Sequence, residues 1–145
     1  MLAEQVFTNA QIILGDEVIH GTVVVKDGKI KSIEQGNVMV PFALDMQGSY
    51  LMPGMVELHT DNLEKHMTPR PSVKWPSLPA MISHDNQIAS SGITTVFDAL
   101  SLGDISPRST RIESLKPMLE TLDYSQDHQL TRVEHKLHLR CEVAH

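Results

Sequence analysis

The sequence has a single cysteine, Cys141, among 145 residues, so it cannot form a disulfide within the chain. Proteins without a disulfide framework are typical of a reducing compartment. No stretch approaches the roughly 18 consecutive apolar residues of a membrane-spanning helix. The N-terminus also lacks a basic segment followed by a long apolar run, the mark of a secretory leader. We therefore expect a cytoplasmic protein without a membrane partner.

Basic residues are scarce as well, with 12 Lys and Arg against 18 Asp and Glu, which gives a formal net charge of -6. Binding to nucleic acid needs clustered cations that neutralise phosphates, and the sequence contains no basic stripe. The composition therefore argues against a nucleic-acid partner. Hydrophobic residues make up 41% of the chain, which is typical of a globular protein.

Short runs of apolar and β-branched residues fill the first part of the chain, at 5–13, 18–25 and 30–34. The last two runs are joined by a segment containing Asp27-Gly28, and an Asp-Gly pair between two such runs is a strong hairpin signal. These patterns predict a small β-sandwich segment over residues 1–52.

Strand-like and helix-like segments alternate from residue 53 onward. Such alternation predicts an α/β fold of parallel strands with right-handed crossovers. A closed (β/α)8 barrel needs about 250 residues, so residues 53–145 supply only its first units, and we expect a truncated, incomplete barrel. The predicted order is strand 55–58, proline-rich loop 67–79, helix 78–91, strand 93–97, helix 110–124 and strand 136–143.

The segment VELHTD at the end of the first barrel strand is the sharpest chemical feature. Side chains two residues apart on a strand point the same way, so His59 and Asp61 are expected on one face. An imidazole nitrogen and a carboxylate oxygen are both suitable ligands for a divalent transition metal. On its own the pattern also fits an ordinary polar strand end.

The surrounding residues resemble the amidohydrolase superfamily. The string YLMPGMVELHTD is similar to the segment that opens the barrel of these enzymes, where a Pro-Gly turn leads into a strand bearing HxH or HxD. The strings ELHTDNLEKHMTPRP and GITTVFDALSLGD, with Trp75 between them, resemble the phosphonate-utilisation diphosphatases of the carbon–phosphorus lyase pathway. Asp61 stands where a second histidine is commoner in the superfamily.

The resemblance implies one or two divalent ions, Zn or Mn, held by His59 and Asp61. It also implies a bridging ligand on a later strand, for which Glu142 is the best candidate. Glu142 could equally be a plain strand-end carboxylate, and the loop cations could be exposed charges. The residues that would contact the substrate are Glu64, Lys65, His66 and Arg70.

The implied activity is hydrolysis of a small molecule, α-D-ribose 1-methylphosphonate 5-triphosphate, to the 5-phosphate and pyrophosphate. Because later barrel strands supply the remaining ligands in such enzymes, we expect this chain to be inactive alone. The alternatives are another amidohydrolase, of the dihydroorotase or deaminase kind, and a non-catalytic truncated product. The pattern leaves a homo-oligomer open.

Other ionisable residues have weaker sequence support. His84 lies on the apolar face of the predicted helix 78–91 and is expected to be a core histidine. Asp98 is expected to end the second barrel strand, where it would face the site or cap the next segment. The remaining histidines are interpreted as surface residues: His20, His128, His135 and His145.

Overall fold

The computed structural model describes residues 4–103 and 111–141. The chain forms two compact units, Met1–Pro53 and Gly54–His145. Among the described helices, none is both long and apolar enough to cross a membrane.

The first unit is built on a five-stranded sheet in the order β3-β2-β1-β4, with β5 also paired to β1. Ala10, Ile12 and Val23 form its buried core. The Asp27-Gly28 hairpin is confirmed, since both residues have the positive φ angles that a tight hairpin turn favours. The strands are β1 Gln5–Ile13, β2 Val18–Lys26, β3 Lys29–Gln35, β4 Ala43–Asp45 and β5 Tyr50–Leu51.

The second unit contains a three-stranded parallel sheet in the order β6-β7-β8, with helices between the strands. The predicted alternation of strands and helices is therefore confirmed, and the described strands do not close a barrel. The elements are β6 Met55–Thr60, α1 Asn62–Met67, α2 Ser77–Ser90, β7 Ile93–Leu102, α3 Arg111–Asp127 and β8 Glu134–Cys141.

One face of the central strand β7 is covered by the helices. Leu100 on β7 belongs to a buried cluster with residues of all three helices. Val96, four residues before Leu100 on the same strand, packs on Ile88 of α2. Since alternate residues of a strand share a face, Val96, Asp98 and Leu100 all point toward the helices. The opposite face is where the strand-end residues meet.

Two details of this unit differ from the sequence predictions. Helix α1 was not predicted, because its six residues are too few for a helical period to show. Strand β7 continues to Leu102, so the prediction that Asp98 ends this strand is wrong. The Asp98 side chain is fully buried. Strand β7 continues past it because Ala99 and Leu100 extend the buried run.

Candidate functional site

His59 and Asp61 lie together at the end of β6. The distance from His59 Nε2 to Asp61 Oδ1 is 3.4 Å, and the two side chains are 45% and 39% exposed. The pairing of β6 with β7 is irregular here. Glu57 is paired with Val96 and Thr60 with Asp98, so β6 advances three residues while β7 advances two. A bulge of this kind bends a strand and redirects its side chains, and bulges are common beside active sites.

The Asp61 carboxylate is not used to cap its own helix. Asp61 occupies the position before α1, where an aspartate commonly accepts a hydrogen bond from a helix N–H, yet no side-chain cap bond forms. Instead, both carboxylate oxygens accept from Arg140 Nη1, each at 3.1 Å. The carboxylate is therefore directed toward the strand ends rather than toward the helix.

Strand β8 contributes a histidine beside this pair. The rings of His138 and His59 meet edge to face with centroids 5.0 Å apart. His138 Nδ1 lies 3.3 Å from the Leu58 carbonyl oxygen. Together His59, Asp61, His138 and Arg140 form the strand-end cluster.

Small residues of β7 allow side chains of β6 and β8 to meet, although β7 lies between those strands. Ala99 is paired in register with His138, and Ser101 with Arg140. Ala99 and Ser101 are both buried. Larger residues at these positions would fill the space over β7 that the strand-end cluster occupies.

The strand-end cluster suits a divalent transition metal. Ligand distances of about 2.0–2.1 Å at tetrahedral angles separate two ligand atoms by about 3.4 Å. The Nε2 and Oδ1 atoms of His59 and Asp61 have that separation. Glu142, the predicted bridging ligand, lies outside the described residues, as does His145. The two residues present supply part of a coordination shell.

The predicted substrate contacts lie on and after α1. Lys65 Nζ donates to Asn62 Oδ1 at 3.1 Å, and its side chain is exposed. His66 Nε2 lies 2.8 Å from Gln87 Oε1, so this ring points toward α2. Glu64 is half-buried on the same short helix, and Arg70 is exposed in the turn that follows.

A second ionisable cluster lies buried under α2. Asp98 accepts from His84 Nε2 through Oδ1 at 2.6 Å and from His135 Nδ1 through Oδ2 at 2.7 Å. The other ring nitrogen of His135, Nε2, lies 3.2 Å from Asp85 Oδ1. Asp85 also accepts from the backbone N–H groups of Arg132 and Val133. These four side chains, His84, Asp85, Asp98 and His135, form the buried chain.

The contacts within the buried chain change the pKa values of Asp98 and His135. Burial favours a higher pKa for Asp98, but hydrogen bonds from His135 and His84 prevail, and the pKa is lowered. Burial favours a lower pKa for His135, but the hydrogen bonds and charges of Asp98 and Asp85 prevail, and the pKa is raised. With a carboxylate at each ring nitrogen, His135 is placed to be an imidazolium. His84 Nδ1 is buried and has no hydrogen-bond partner among the described residues.

The buried chain and the strand-end cluster lie on opposite faces of the sheet. His135 is three residues before His138 and five before Arg140, and odd separations on a strand place side chains on opposite faces. Atoms of His84, Asp98 and His135 all lie within 4.8 Å of one another, close enough to surround an ion. Two of their separations, 2.6 and 2.7 Å, are instead those of direct charge-assisted hydrogen bonds.

The interpretation of His135 as a surface residue is wrong, since it is only 2% exposed. The predicted strand began one residue after His135, which left it outside the pattern. Extending the alternation of KLHLRC backward by one residue would have placed His135 on the face of Leu137 and Leu139. His84 is a buried core histidine, as predicted.

Comparison with known proteins places this fold. No model of a protein family matches the chain. The α-D-ribose 1-methylphosphonate 5-triphosphate diphosphatase of Escherichia coli (strain K12) is 43% identical over 140 residues, which are 97% of this chain and 37% of that protein. A D-hydantoinase structure superposes with a TM-score of 0.64 at 20% identity, over 94% of this chain and 27% of its own. The L-hydantoinase of Arthrobacter aurescens gives a TM-score of 0.57 at 23% identity, over 91% and 26%.

The chain is therefore similar in sequence to part of this diphosphatase and similar in fold to part of the hydantoinases. The predicted fold class is confirmed, since the chain superposes on these barrel enzymes over a minor part of their length. The chain spans little more than a third of the curated relative that it matches.

Proposed function

We propose that this chain contributes part of the active site of a metal-dependent phosphohydrolase that acts on a sugar triphosphate. The observation that supports it most directly is the His59–Asp61 pair, whose ligand atoms are 3.4 Å apart beside a guanidinium group. The 43% identity to a ribose 1-methylphosphonate 5-triphosphate diphosphatase suggests the substrate. The amidohydrolase fold alone fits many substrates, so the site and the identity together favour this one.

In this proposal His59 Nε2 and an oxygen of Asp61 hold a divalent ion, Zn or Mn, and Glu142 adds a bridging carboxylate. When bound, the ion supplies a Lewis acid that polarises a phosphoryl oxygen and makes water more acidic. The His138 ring, edge to face against His59, limits the orientations that the His59 imidazole can adopt. Ligands fixed in this way lose less entropy when they bind an ion.

The reaction is a hydrolysis. A water oxygen forms a bond to the phosphorus attached to the ribose, and the bond from that phosphorus to the oxygen that leads to the outer two phosphates breaks. The products are the 5-phosphate and pyrophosphate, with the protons of water shared between them. Lys65 and Arg70, both exposed near the strand end in sequence, are proposed to neutralise the phosphate charge.

Metal binding tests the site. Zinc and manganese affinities of the full chain are measured by titration calorimetry, beside His59→Asn and Asp61→Asn. Loss of a ligand is expected to weaken zinc binding about a hundredfold or more, because even groups behind the ligands contribute 10–100-fold. The matched controls are His128→Asn and Asp123→Asn, exposed residues of α3 and the turn after it, which should bind like the unaltered chain.

Pyrophosphate release tests the substrate. The chain is compared with a fusion in which the unmatched remainder of the Escherichia coli relative follows it. We expect no turnover from the chain alone and release of pyrophosphate by the fusion. A fusion that binds zinc but opens a cyclic amide or releases ammonia would instead favour another amidohydrolase activity. Zinc affinities unaffected by both ligand substitutions would refute the site.

A further inference from the structure

Arg140 has an unusual position for a surface cation. It lies on β8, two strands away from Asp61, and reaches across Ser101 to place Nη1 at 3.1 Å from both carboxylate oxygens. The strongest carboxylate–guanidinium pairs use two nitrogens in parallel. Here a single nitrogen serves both oxygens, so the pair is not in its tightest form.

The pair is also partly open to solvent, with side chains 31% and 39% exposed. Ion pairs in such surroundings contribute little net stability. Keeping a guanidinium on Asp61 therefore does little for the fold, and the contact can be exchanged for another at small cost.

The atom that Arg140 contacts is the atom that a metal needs. Asp61 Oδ1 lies 3.1 Å from Arg140 Nη1 and 3.4 Å from His59 Nε2. A divalent cation bound between His59 and Asp61 would place two positive charges close to the guanidinium. The guanidinium would then be repelled by the bound cation and attracted to an anion bound beside it.

We propose that Arg140 exchanges partners as the site fills: it neutralises Asp61 before the cation arrives and then binds a phosphoryl group of the substrate. A guanidinium matches the geometry of phosphate oxygens, and its charge does not depend on pH in the working range. The inference rests on the proposed function, in which His59 and Asp61 hold the cation. The exchange makes Arg140 on β8 a substrate-binding residue, although Arg140 lies outside the sequence segments that carry the resemblance.

Two affinities test the exchange. Cobalt(II) binding to the full chain is followed by visible absorption, and binding of inorganic phosphate to the cobalt-loaded chain is then followed by calorimetry. Arg140→Gln removes the competing cation, so cobalt should bind up to about fivefold more tightly. Phosphate should bind about tenfold more weakly, because a charge-assisted contact is lost.

Lys136→Gln is the matched control. Lys136 is a cation on the same strand and the same face as Arg140, but it pairs with Glu134 at 2.8 Å. We expect it to leave both affinities unchanged. Arg140→Lys keeps the charge and the bulk, so it should keep cobalt affinity near that of the unaltered chain and lose part of the phosphate affinity. Circular dichroism verifies the fold of each variant.

The outcomes separate the two proposals. If Asp61→Asn leaves cobalt binding intact, the proposed metal site is wrong. If Asp61→Asn abolishes cobalt binding while Arg140→Gln behaves like Lys136→Gln in both titrations, the metal site stands and the exchange is overturned. Tighter cobalt binding together with weaker phosphate binding in Arg140→Gln supports the exchange.

Discussion

His135 is held between two carboxylates, with Asp98 at one ring nitrogen and Asp85 at the other. Because its pKa is raised, the imidazolium stabilises the fold fully below its ordinary pKa near 6.5, and this stabilisation is lost as the pH rises through the raised value. The lowered pKa of Asp98 acts oppositely: its contribution is present above about pH 4 and is lost as the pH falls through the lowered value.

His135→Gln is therefore expected to be most harmful at mildly acidic pH. At pH 5 the free energy of unfolding should fall by about 3–5 kcal/mol, as when one partner of a buried ion pair is removed. At pH 9 the deficit should be clearly smaller. Urea unfolding at both pH values measures this difference. A deficit of equal size at pH 5 and pH 9 would show that His135 carries no charge in the fold.

His128→Gln is the control for that comparison. His128 is exposed and stacks on Tyr124 with ring centroids 4.0 Å apart. Its substitution should change the unfolding free energy by less than about 0.5 kcal/mol at either pH, as is usual for surface sites.

At the scale of elements, Gly21 on strand β2 has no room for a side chain beside strand β3. A Cβ atom at this position would lie 2.2 Å from the Glu34 carbonyl oxygen and 3.2 Å from Ile12 Cδ1. The first contact is with backbone, which cannot rotate away. Gly21→Ala should therefore lower the unfolding free energy by about 1–3 kcal/mol, the usual cost of overpacking.

Gly15→Ala provides the comparison, because an added Cβ there meets no atom of the described residues within 4 Å. It should be neutral or slightly stabilising, since alanine restricts the unfolded chain. Thermal unfolding of both variants is the measurement. Equal melting temperatures for the two would mean that β2 and β3 separate without cost.

At the scale of the molecule, the sheet of the second unit presents apolar side chains to solvent. Leu58, Leu137 and Leu139 are 69%, 43% and 48% exposed. Within the described residues β8 pairs with β7 alone, so its other edge offers unpaired backbone groups, a template for association. We expect the chain to self-associate as its concentration rises.

Leu139→Lys should suppress this association, because a charged side chain on an edge strand blocks pairing. Sedimentation velocity at several concentrations measures the associated fraction, which we expect to fall severalfold. Leu130→Lys, at an exposed position outside the strands, is the matched control and should associate like the unaltered chain. Equal association of the two variants would remove β8 as the contact.

Local patterns explain why much of this fold was predictable. The Asp27-Gly28 turn and the β-branched runs indicate a hairpin, and the period of two places His59 beside Asp61. The buried chain was missed because its members are distant in sequence: His84 and Asp98 are 14 residues apart, and Asp98 and His135 are 37 apart. Such contacts depend on how α2 packs over β7 and β8, which no local pattern specifies.

Strand β8 serves a different purpose on each face, because its odd-numbered and even-numbered side chains point to opposite sides of the sheet. His135 binds Asp98 on the face that α2 covers, while His138 contacts His59 and Arg140 contacts Asp61 on the other face. An insertion or deletion of one residue between His135 and His138 would move every later side chain to the wrong face. A related sequence that keeps both sets of contacts must therefore change the length of this stretch in steps of two residues.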